Sequence, residues 1–89
     1  MTRMIHCRKY GAGQEGLAEP PMPGPAGNAI FEQVSARAWR EWQHLQTMLI
    51  NEKHLNVREP AARAYLNEQR ERFFDNAPHD QPASYVPPA

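Results

Sequence analysis

The 89-residue sequence has a single cysteine, and it lacks any long run of apolar residues. One cysteine excludes an internal disulfide, which is usual for proteins of reducing compartments. No stretch approaches the roughly 18 apolar residues of a membrane-spanning helix, and the N-terminus lacks the apolar segment of a secretory signal. We therefore expect a cytoplasmic protein without a membrane association.

The sequence also lacks an excess of charge of either sign, with ten Lys and Arg residues against ten Asp and Glu. A net charge of zero does not supply the positive field on which sequence-independent nucleic-acid binding depends. There is no Cys-x-x-Cys, His-Glu-x-x-His, phosphate-binding glycine loop or serine elbow. The expectation is a protein that neither binds nucleic acid nor catalyses a reaction.

Glycine and proline are scarce in the middle of the chain, where only Pro60 interrupts residues 28–77. The same stretch holds Trp39, Trp42 and most other aromatic residues, so the core is expected there. From Ala77 onward the chain is rich in proline and poor in apolar residues. We predict one domain over residues 1–76 and a mobile, disordered tail over residues 77–89.

The N-terminal residues predict a two-stranded antiparallel hairpin. "TRMIHCRKY" has the length and composition of a strand, "GAGQEG" reads as the turn, and the chain returns through Leu17 to Glu19. Alternation places Ile5 and Cys7 on one face and His6 on the other. An isolated hairpin is marginally stable, so one face is expected to lie on helices.

Three helices are predicted to follow the hairpin. The first runs from about Pro25 to Val34, and Ser35 has the side chain of an N-cap for a long helix that begins at Ala36. Pro60 suits the first position of the last helix. The predicted fold class is α+β, with the hairpin packed on three helices.

Cys7 is the most reactive side chain in the sequence. His6, Arg8 and Lys9 flank it and would favour its thiolate, whereas a small apolar residue packed beside Ile5 is the structural alternative. An exposed Cys7 thiol could meet oxidants or bind a metal transiently. His6 could share a metal with it only through a bulge, since adjacent strand residues point to opposite faces.

Weaker metal-ligand candidates lie on the long helix and at its end. Glu41 and His44 are three residues apart, a spacing at which a carboxylate and an imidazole can meet one cation, and Glu52 and His54 form a similar pair. With His6, these are the candidate metal ligands. Such a site would be open and completed by water, although solvated helix faces often carry the same pairs.

The segment "PPMPGPAGNAIFEQVSARAWREWQHLQTMLINEKHLN", preceded by Cys7 and followed by "YLNEQRERFF", resembles the bacterial Fe(2+)-trafficking protein family, also described as oxidative-damage-protection proteins. The likeness covers about Met4 to Phe74. "QTMLINE" with the upstream Trp39 and Trp42 is its most specific part.

The resemblance implies a bacterial cytosolic protein that mediates Fe(2+) transactions between iron acquisition and the synthesis or repair of iron–sulfur clusters, and that limits oxidative damage to those clusters. It implies Fe(2+) bound weakly and transiently, partners among cluster proteins or their assembly machinery, and no turnover. Cys7 matches the family's N-terminal cysteine and inherits its protective role. We expect a monomer.

The helical spacing and the resemblance together define an expected core. Periodicity alone places Leu45 on the apolar stripe, whereas the family often has a polar residue there, which moves Leu45 to an edge and buries Gln46. The expected core comprises Ile5, Ile30, Phe31, Val34, Trp39, Trp42, Gln46, Leu49, Ile50, Leu66 and Phe73.

Two alternatives to an iron carrier stay open. The protein could be an adaptor that binds cluster-assembly or redox partners through the hairpin and the long helix without binding iron itself. It could also be a redox protein acting through Cys7, which would need a thiol from a partner because the chain holds no second cysteine.

Overall fold

The structure, a computed structural model, describes residues 3–82 and consists of a two-stranded antiparallel hairpin followed by three helices. The predicted α+β class is confirmed. The elements are β1 (Met4–Cys7), β2 (Gly11–Glu15), α1 (Gly24–Gln33), α2 (Ala36–Lys53) and α3 (Pro60–Phe74). None of the helices described is both long enough and apolar enough to cross a membrane.

The chain divides into two compact units, one ending at Arg40 and the other beginning at Glu41. The first contains the hairpin, α1 and the first residues of α2, and the second contains the rest of α2 and α3. Residues 83–89 of the predicted tail lie outside the described residues, and both its disorder and the single-domain boundary at residue 76 stay predictions.

The hairpin turns earlier than the sequence predicts. Cys7 pairs with Gly11, so the turn consists of Arg8, Lys9 and Tyr10, and the glycine-rich stretch is the second strand. The predicted turn at "GAGQEG" and the return through Leu17 to Glu19 are therefore wrong. The reason lies in Gly11, whose φ of 84° reverses the chain after three turn residues, a position that favours glycine.

Arg3 connects the hairpin to α1 within the first unit. Its guanidinium donates hydrogen bonds to the carbonyl oxygens of Phe31 (2.7 Å) and Leu17 (3.2 Å), and lies 3.9 Å from the centroid of the Phe31 ring. At the other end of β1, the Arg8 N–H donates to the Gln33 carbonyl at 2.8 Å. Phe31 and Ile5, both expected in the core, are half-buried because they lie at this polar margin.

Gly27 is buried in α1 where the chain leading into the helix passes very close. A β-carbon at this position would clash with the carbonyl oxygen of Met22, which no rotamer change relieves because the obstacle is backbone. Glycine is unfavourable inside a helix, so its presence here is explained by the close approach.

We expect Gly27→Ala to lower the free energy of unfolding by about 1–3 kcal/mol, although alanine is the better helix former. Urea denaturation followed by circular dichroism would measure the change. Asn28→Ala, at the next and exposed position of α1, is the matched control and should be neutral or slightly stabilising. Equal stability of Gly27→Ala and the parent protein would show that Met22 can move away at little cost.

Ser35 caps α2, as the sequence predicts. Its hydroxyl accepts a hydrogen bond from the Ala38 N–H at 3.1 Å, and its carbonyl accepts from the Trp39 N–H at 3.0 Å. Ser35 is fully buried, and it also forms an isolated bridge with Gly16 directly after β2. The cap therefore lies inside the first unit, beside the hairpin.

The second unit has an apolar core made by α2 and α3. Trp42, Leu45 and Leu49 are buried on α2, and the Trp42 and Phe73 rings lie with centroids 6.0 Å apart. The buried residues of α3 are Ala62, Leu66, Gln69, Phe73 and Phe74.

The structure corrects the expected position of Leu45. Its side chain is fully buried, whereas Gln46 and Ile50 are half-buried, so the expectation that Leu45 lies at an edge is wrong. Trp42, Leu45 and Leu49 follow the spacing of three and four residues that places side chains on one helix face, and Gln46 and Ile50 are rotated about 100° from Leu45 and Leu49. Trp39, also expected in the core, is half-buried, while the expected core residues Ile30 and Val34 are buried in the first unit.

The first residues after α3 contact that helix, although they form no regular secondary structure. The Asp80 N–H donates to Gln69 Oε1 at 2.7 Å, which satisfies a buried carboxamide. The Tyr65 hydroxyl donates to Asp80 Oδ2 at 2.5 Å. Burial, then the hydrogen bond and negative charge of Asp80, raise the pKa of Tyr65 well above its usual range.

Candidate functional site

Cys7 lies at the end of β1 and is only 1% exposed. This burial corrects the expectation of an exposed thiol. The exposure of β1 alternates along the strand, with Met4 and His6 facing solvent and Cys7 facing inward. The register of the hairpin shifts between Ile5 and Cys7, yet the shift does not bring His6 onto the same side as the thiol.

Backbone N–H groups from two segments of the chain donate hydrogen bonds to the Cys7 sulfur. Those of Lys9 in the hairpin turn and of Ser35 at the start of α2 each have a nitrogen–sulfur distance of 3.4 Å, and Tyr10 donates a further one. The sulfur therefore lies at the N-terminus of α2, where the partial positive charge of the helix dipole favours an anion. The turn and the helix cap together form the walls of the thiol site.

These contacts set the acidity of the thiol. Burial raises the pKa of Cys7, but hydrogen bonds from the Ser35 side chain and from the backbone of Ser35, Lys9 and Tyr10 together outweigh it. The net pKa lies below the ordinary value of a cysteine. A larger thiolate fraction increases the capacity of the sulfur to attack an oxidant or bind a metal.

The lowered pKa of Cys7 and its burial thus have opposite effects on the reactivity of the thiol. The sulfur is electronically prepared for thiolate chemistry, but a reagent outside the protein cannot contact an atom that is almost completely covered. Reaction requires a local opening that uncovers the sulfur, and the Arg8–Lys9–Tyr10 turn is a segment in direct contact with it. The site is a covered thiol whose ionisation is favoured by its hydrogen bonds.

The remaining metal-ligand candidates are distributed along α2 and its end. Glu41 is half-buried, whereas His44, Glu52 and His54 are exposed. His54 follows the last residue of α2 with a φ of 53°, the left-handed conformation that terminates many helices.

His54 also lines a shallow pocket of about 290 Å³ with Glu59 and Tyr65. Within residues 3–82, no three His, Cys, Asp or Glu side chains converge in a group that could hold a metal ion.

Two features of the Cys7 site were not identified from the sequence. Ser35 was recognised as a helix cap, but its contact with the sulfur joins residues 28 positions apart, and no local pattern predicts that contact. The cluster of Lys9, Tyr10 and Arg37 was also missed: the Arg37 guanidinium lies 4.3 Å and the Lys9 ammonium 5.6 Å from the centroid of the Tyr10 ring. In the sequence, only the basic residues at positions 8 and 9 pointed to this cluster.

Comparison with known proteins gives a consistent result over the whole chain. Residues 1–88 match a family model described as "Bacterial Fe(2+) trafficking". The chain is similar to the "Probable Fe(2+)-trafficking protein" of Alcanivorax borkumensis, with 56% identity over 89 residues that cover 100% of this chain and 95% of the relative. The protein of the same name from Marinobacter nauticus is 60% identical over 88 residues, covering 99% and 98%. That from Burkholderia mallei is 52% identical over 89 residues, covering 100% and 98%.

Proposed function

We propose, from the premise that the chain belongs to the bacterial Fe(2+) trafficking family, that it carries Fe(2+) in the bacterial cytoplasm and releases it to iron-requiring processes. The observation that carries the proposal is the match over residues 1–88, together with relatives of the same name at 52–60% identity. The role is transport without turnover, and Fe(2+) is its cargo.

The arrangement of the described side chains is compatible with a carrier. A carrier must bind Fe(2+) weakly enough to pass it on, and one or two carboxylate or imidazole ligands completed by water meet that requirement better than a closed cage. Glu41 with His44, and Glu52 with His54, are the side chains that would hold the ion. His6 is exposed on the hairpin and could add a ligand on the first unit.

An anaerobic Fe(2+) titration followed by ¹H–¹⁵N NMR tests direct binding. A paramagnetic ion broadens the amide signals nearest to it, so we expect selective broadening around Glu41 and His44 or around Glu52 and His54. The variants His44→Ala and His54→Ala each remove one imidazole and serve as controls for each other. If neither these amides nor those around His6 and Cys7 broaden before the rest of the chain, direct iron binding is wrong and the adaptor alternative is favoured.

We further propose that the iron is delivered for the synthesis or repair of iron–sulfur clusters, and that Cys7 helps protect those clusters from oxidants. The burial and the lowered pKa of the Cys7 thiol support this role, since the thiol can react when the site opens yet is shielded from indiscriminate oxidation. Reactivation of an oxidatively damaged [4Fe–4S] hydratase by the Fe(2+)-loaded protein should exceed reactivation by the same total Fe(2+) in the presence of a competing chelator. Equal reactivation would contradict delivery.

A redox protein acting through Cys7 is the second candidate. The lowered pKa of the thiol favours it, whereas the 1% exposure opposes it. Because the chain has one cysteine, oxidation to a disulfide requires a thiol from a partner. Attack of Cys7 on oxidised glutathione, which forms a mixed disulfide and releases one reduced glutathione, would support this candidate if it occurs at the same rate in folded and unfolded protein.

A further inference from the structure

Two basic side chains, Lys9 and Arg37, lie over the Tyr10 ring on the first unit. Arg8 precedes Lys9 in the turn and Arg40 is one helical turn after Arg37, and we name Arg8, Lys9, Tyr10, Arg37 and Arg40 the Tyr10 patch. The hairpin turn supplies the first three of these residues and the start of α2 supplies the other two. Arg40 follows Arg37 by three positions, so the two are neighbours on the helix surface. Arg37 and Arg40 are exposed, and the three turn residues are half-buried.

The geometry brings like charges together. The Arg37 guanidinium and the Lys9 ammonium lie within 4.3 and 5.6 Å of one aromatic ring, although they come from different elements. Attraction to the face of the Tyr10 ring offsets part of their mutual repulsion. Two cations from different elements are therefore held at one aromatic ring.

This concentration of charge is hidden by the composition of the whole chain, which is neutral. The unit that ends at Arg40 has five basic residues (Lys and Arg) and three acidic residues. The unit that begins at Glu41 has five basic residues and seven acidic residues. Four of the five basic residues in the first unit belong to the Tyr10 patch. The basic residues of the first unit are therefore concentrated in the Tyr10 patch.

The turn residues of the Tyr10 patch also contact the Cys7 sulfur. The backbone of Lys9 and Tyr10 donates hydrogen bonds to that sulfur, so the segment that carries two of the four cations also contacts the thiol. A macromolecule bound to the patch would contact the turn whose opening exposes Cys7.

We propose that the Tyr10 patch is the docking surface for an acidic protein partner in the iron transfer described above, an inference that rests on the proposed function. A carboxylate-rich surface complements the charge of the patch, and arginine and tyrosine are the residues that most often anchor protein interfaces. Nucleic acid is the poorer candidate because its affinity depends on many neutralised phosphates, and the patch offers four cations on a neutral chain.

A titration with a short poly-L-glutamate peptide at low ionic strength, followed by ¹H–¹⁵N NMR, tests the proposal. We expect the largest shifts at the amides of Lys9, Tyr10 and Arg37, and an affinity that falls as salt is added. Arg37→Glu should weaken binding at least about tenfold, because it places a like charge against the peptide. Arg58→Glu, at an exposed position of the second unit, changes the net charge equally and should alter affinity less than about twofold.

Two substitutions of Tyr10 separate the ring from its hydroxyl. Tyr10→Phe keeps the aromatic face and should retain binding, whereas Tyr10→Leu removes the face on which Arg37 and Lys9 are placed and should weaken binding several-fold. Circular dichroism and thermal unfolding of each variant would verify that it is folded. The Tyr10 ring is supported as the element that places the cations only if Tyr10→Phe retains peptide binding and Tyr10→Leu loses it.

The proposal is overturned if the shifts are spread evenly over both units, if Arg58→Glu weakens binding as much as Arg37→Glu, or if no binding occurs at low salt. Tighter binding of a single-stranded oligonucleotide with the same number of charges would assign the patch to nucleic acid instead. The Fe(2+) titration of Arg37→Glu keeps the two proposals distinct: an unchanged iron response with lost peptide binding supports the patch. Failure of the parent protein to bind iron would count against the carrier and not against the patch.

Discussion

Replacing Leu45 with alanine should lower the free energy of unfolding by about 2–5 kcal/mol, the range observed for buried leucines. Leu45 is completely buried on the face of α2 that also carries Trp42 and Leu49, so truncation leaves a cavity in the core of the second unit. Small domains are stable by only about 5–15 kcal/mol, so the loss is a large part of the total. Urea denaturation followed by tryptophan fluorescence would measure it.

Ile50→Ala is the matched control for Leu45→Ala. Ile50 lies on the same helix and loses a side chain of the same volume, but it is half-buried. Its removal should cost less, on the order of 1 kcal/mol. A larger loss at Ile50 than at Leu45 would mean that the buried arc of α2 is centred on Gln46 and Ile50, as the family pattern suggested.

Cys7 should react slowly with iodoacetamide in the folded protein, at least about tenfold more slowly than in the protein unfolded by urea. The comparison separates two opposing effects. A lowered pKa increases the thiolate fraction and alone would make the folded thiol react faster, whereas 1% exposure prevents contact with the reagent. We expect the burial to dominate, and mass spectrometry of quenched samples would give both rates.

Urea below the unfolding transition is the internal control for the alkylation experiment. If reaction occurs through local opening of the Arg8–Lys9–Tyr10 turn, its rate should rise less steeply with urea than expected for global unfolding. Equal rates in folded and unfolded protein would contradict a covered thiol. They would also remove the shielding on which the proposed protective role of Cys7 depends.

The pH dependence of stability gives an independent measure of the Cys7 environment. Because the pKa of the thiol is lower in the folded protein, the folded state binds the proton less tightly, and stability rises with pH between the folded and unfolded pKa values. The stabilisation is fully present above the unfolded pKa of about 8.5 and is lost as pH falls through the folded value. Cys7→Ala should lack this contribution, so its stability relative to the parent should decrease as pH rises through this window.

The Cys7 site and the Tyr10 patch share one structural element, and this links the two proposals. The turn covers the sulfur through its backbone and presents cations through its side chains. A partner that binds the cations would contact the same turn that covers the thiol. The proposed iron binding on α2, by contrast, concerns residues of the second unit and can be tested without reference to the turn.

The sequence by itself determined the features that depend on neighbouring residues. Ser35 as a cap and Pro60 at the start of α3 follow from the chemistry of helix ends, and the periodicity of α2 places Trp42 and Leu49 on one face. The family signature lies in a continuous segment and was also recognisable without coordinates. These inferences succeed because side chains within four positions interact wherever the helix is located.

Only the tertiary structure decided the features that join distant residues. The turn at Arg8–Lys9–Tyr10 follows from the pairing of two strands, and glycines at 11 and 13 equally resemble a turn until that pairing is known. The burial of Cys7 depends on Ser35, and the Tyr10 patch depends on Arg37, both far along the chain. The expectation that Leu45 lies at an edge was wrong because the polar residue that the family often has there does not show how deeply the position is buried. Burial and electrostatic clustering are properties of the packed chain, and they set the chemistry that this protein can perform.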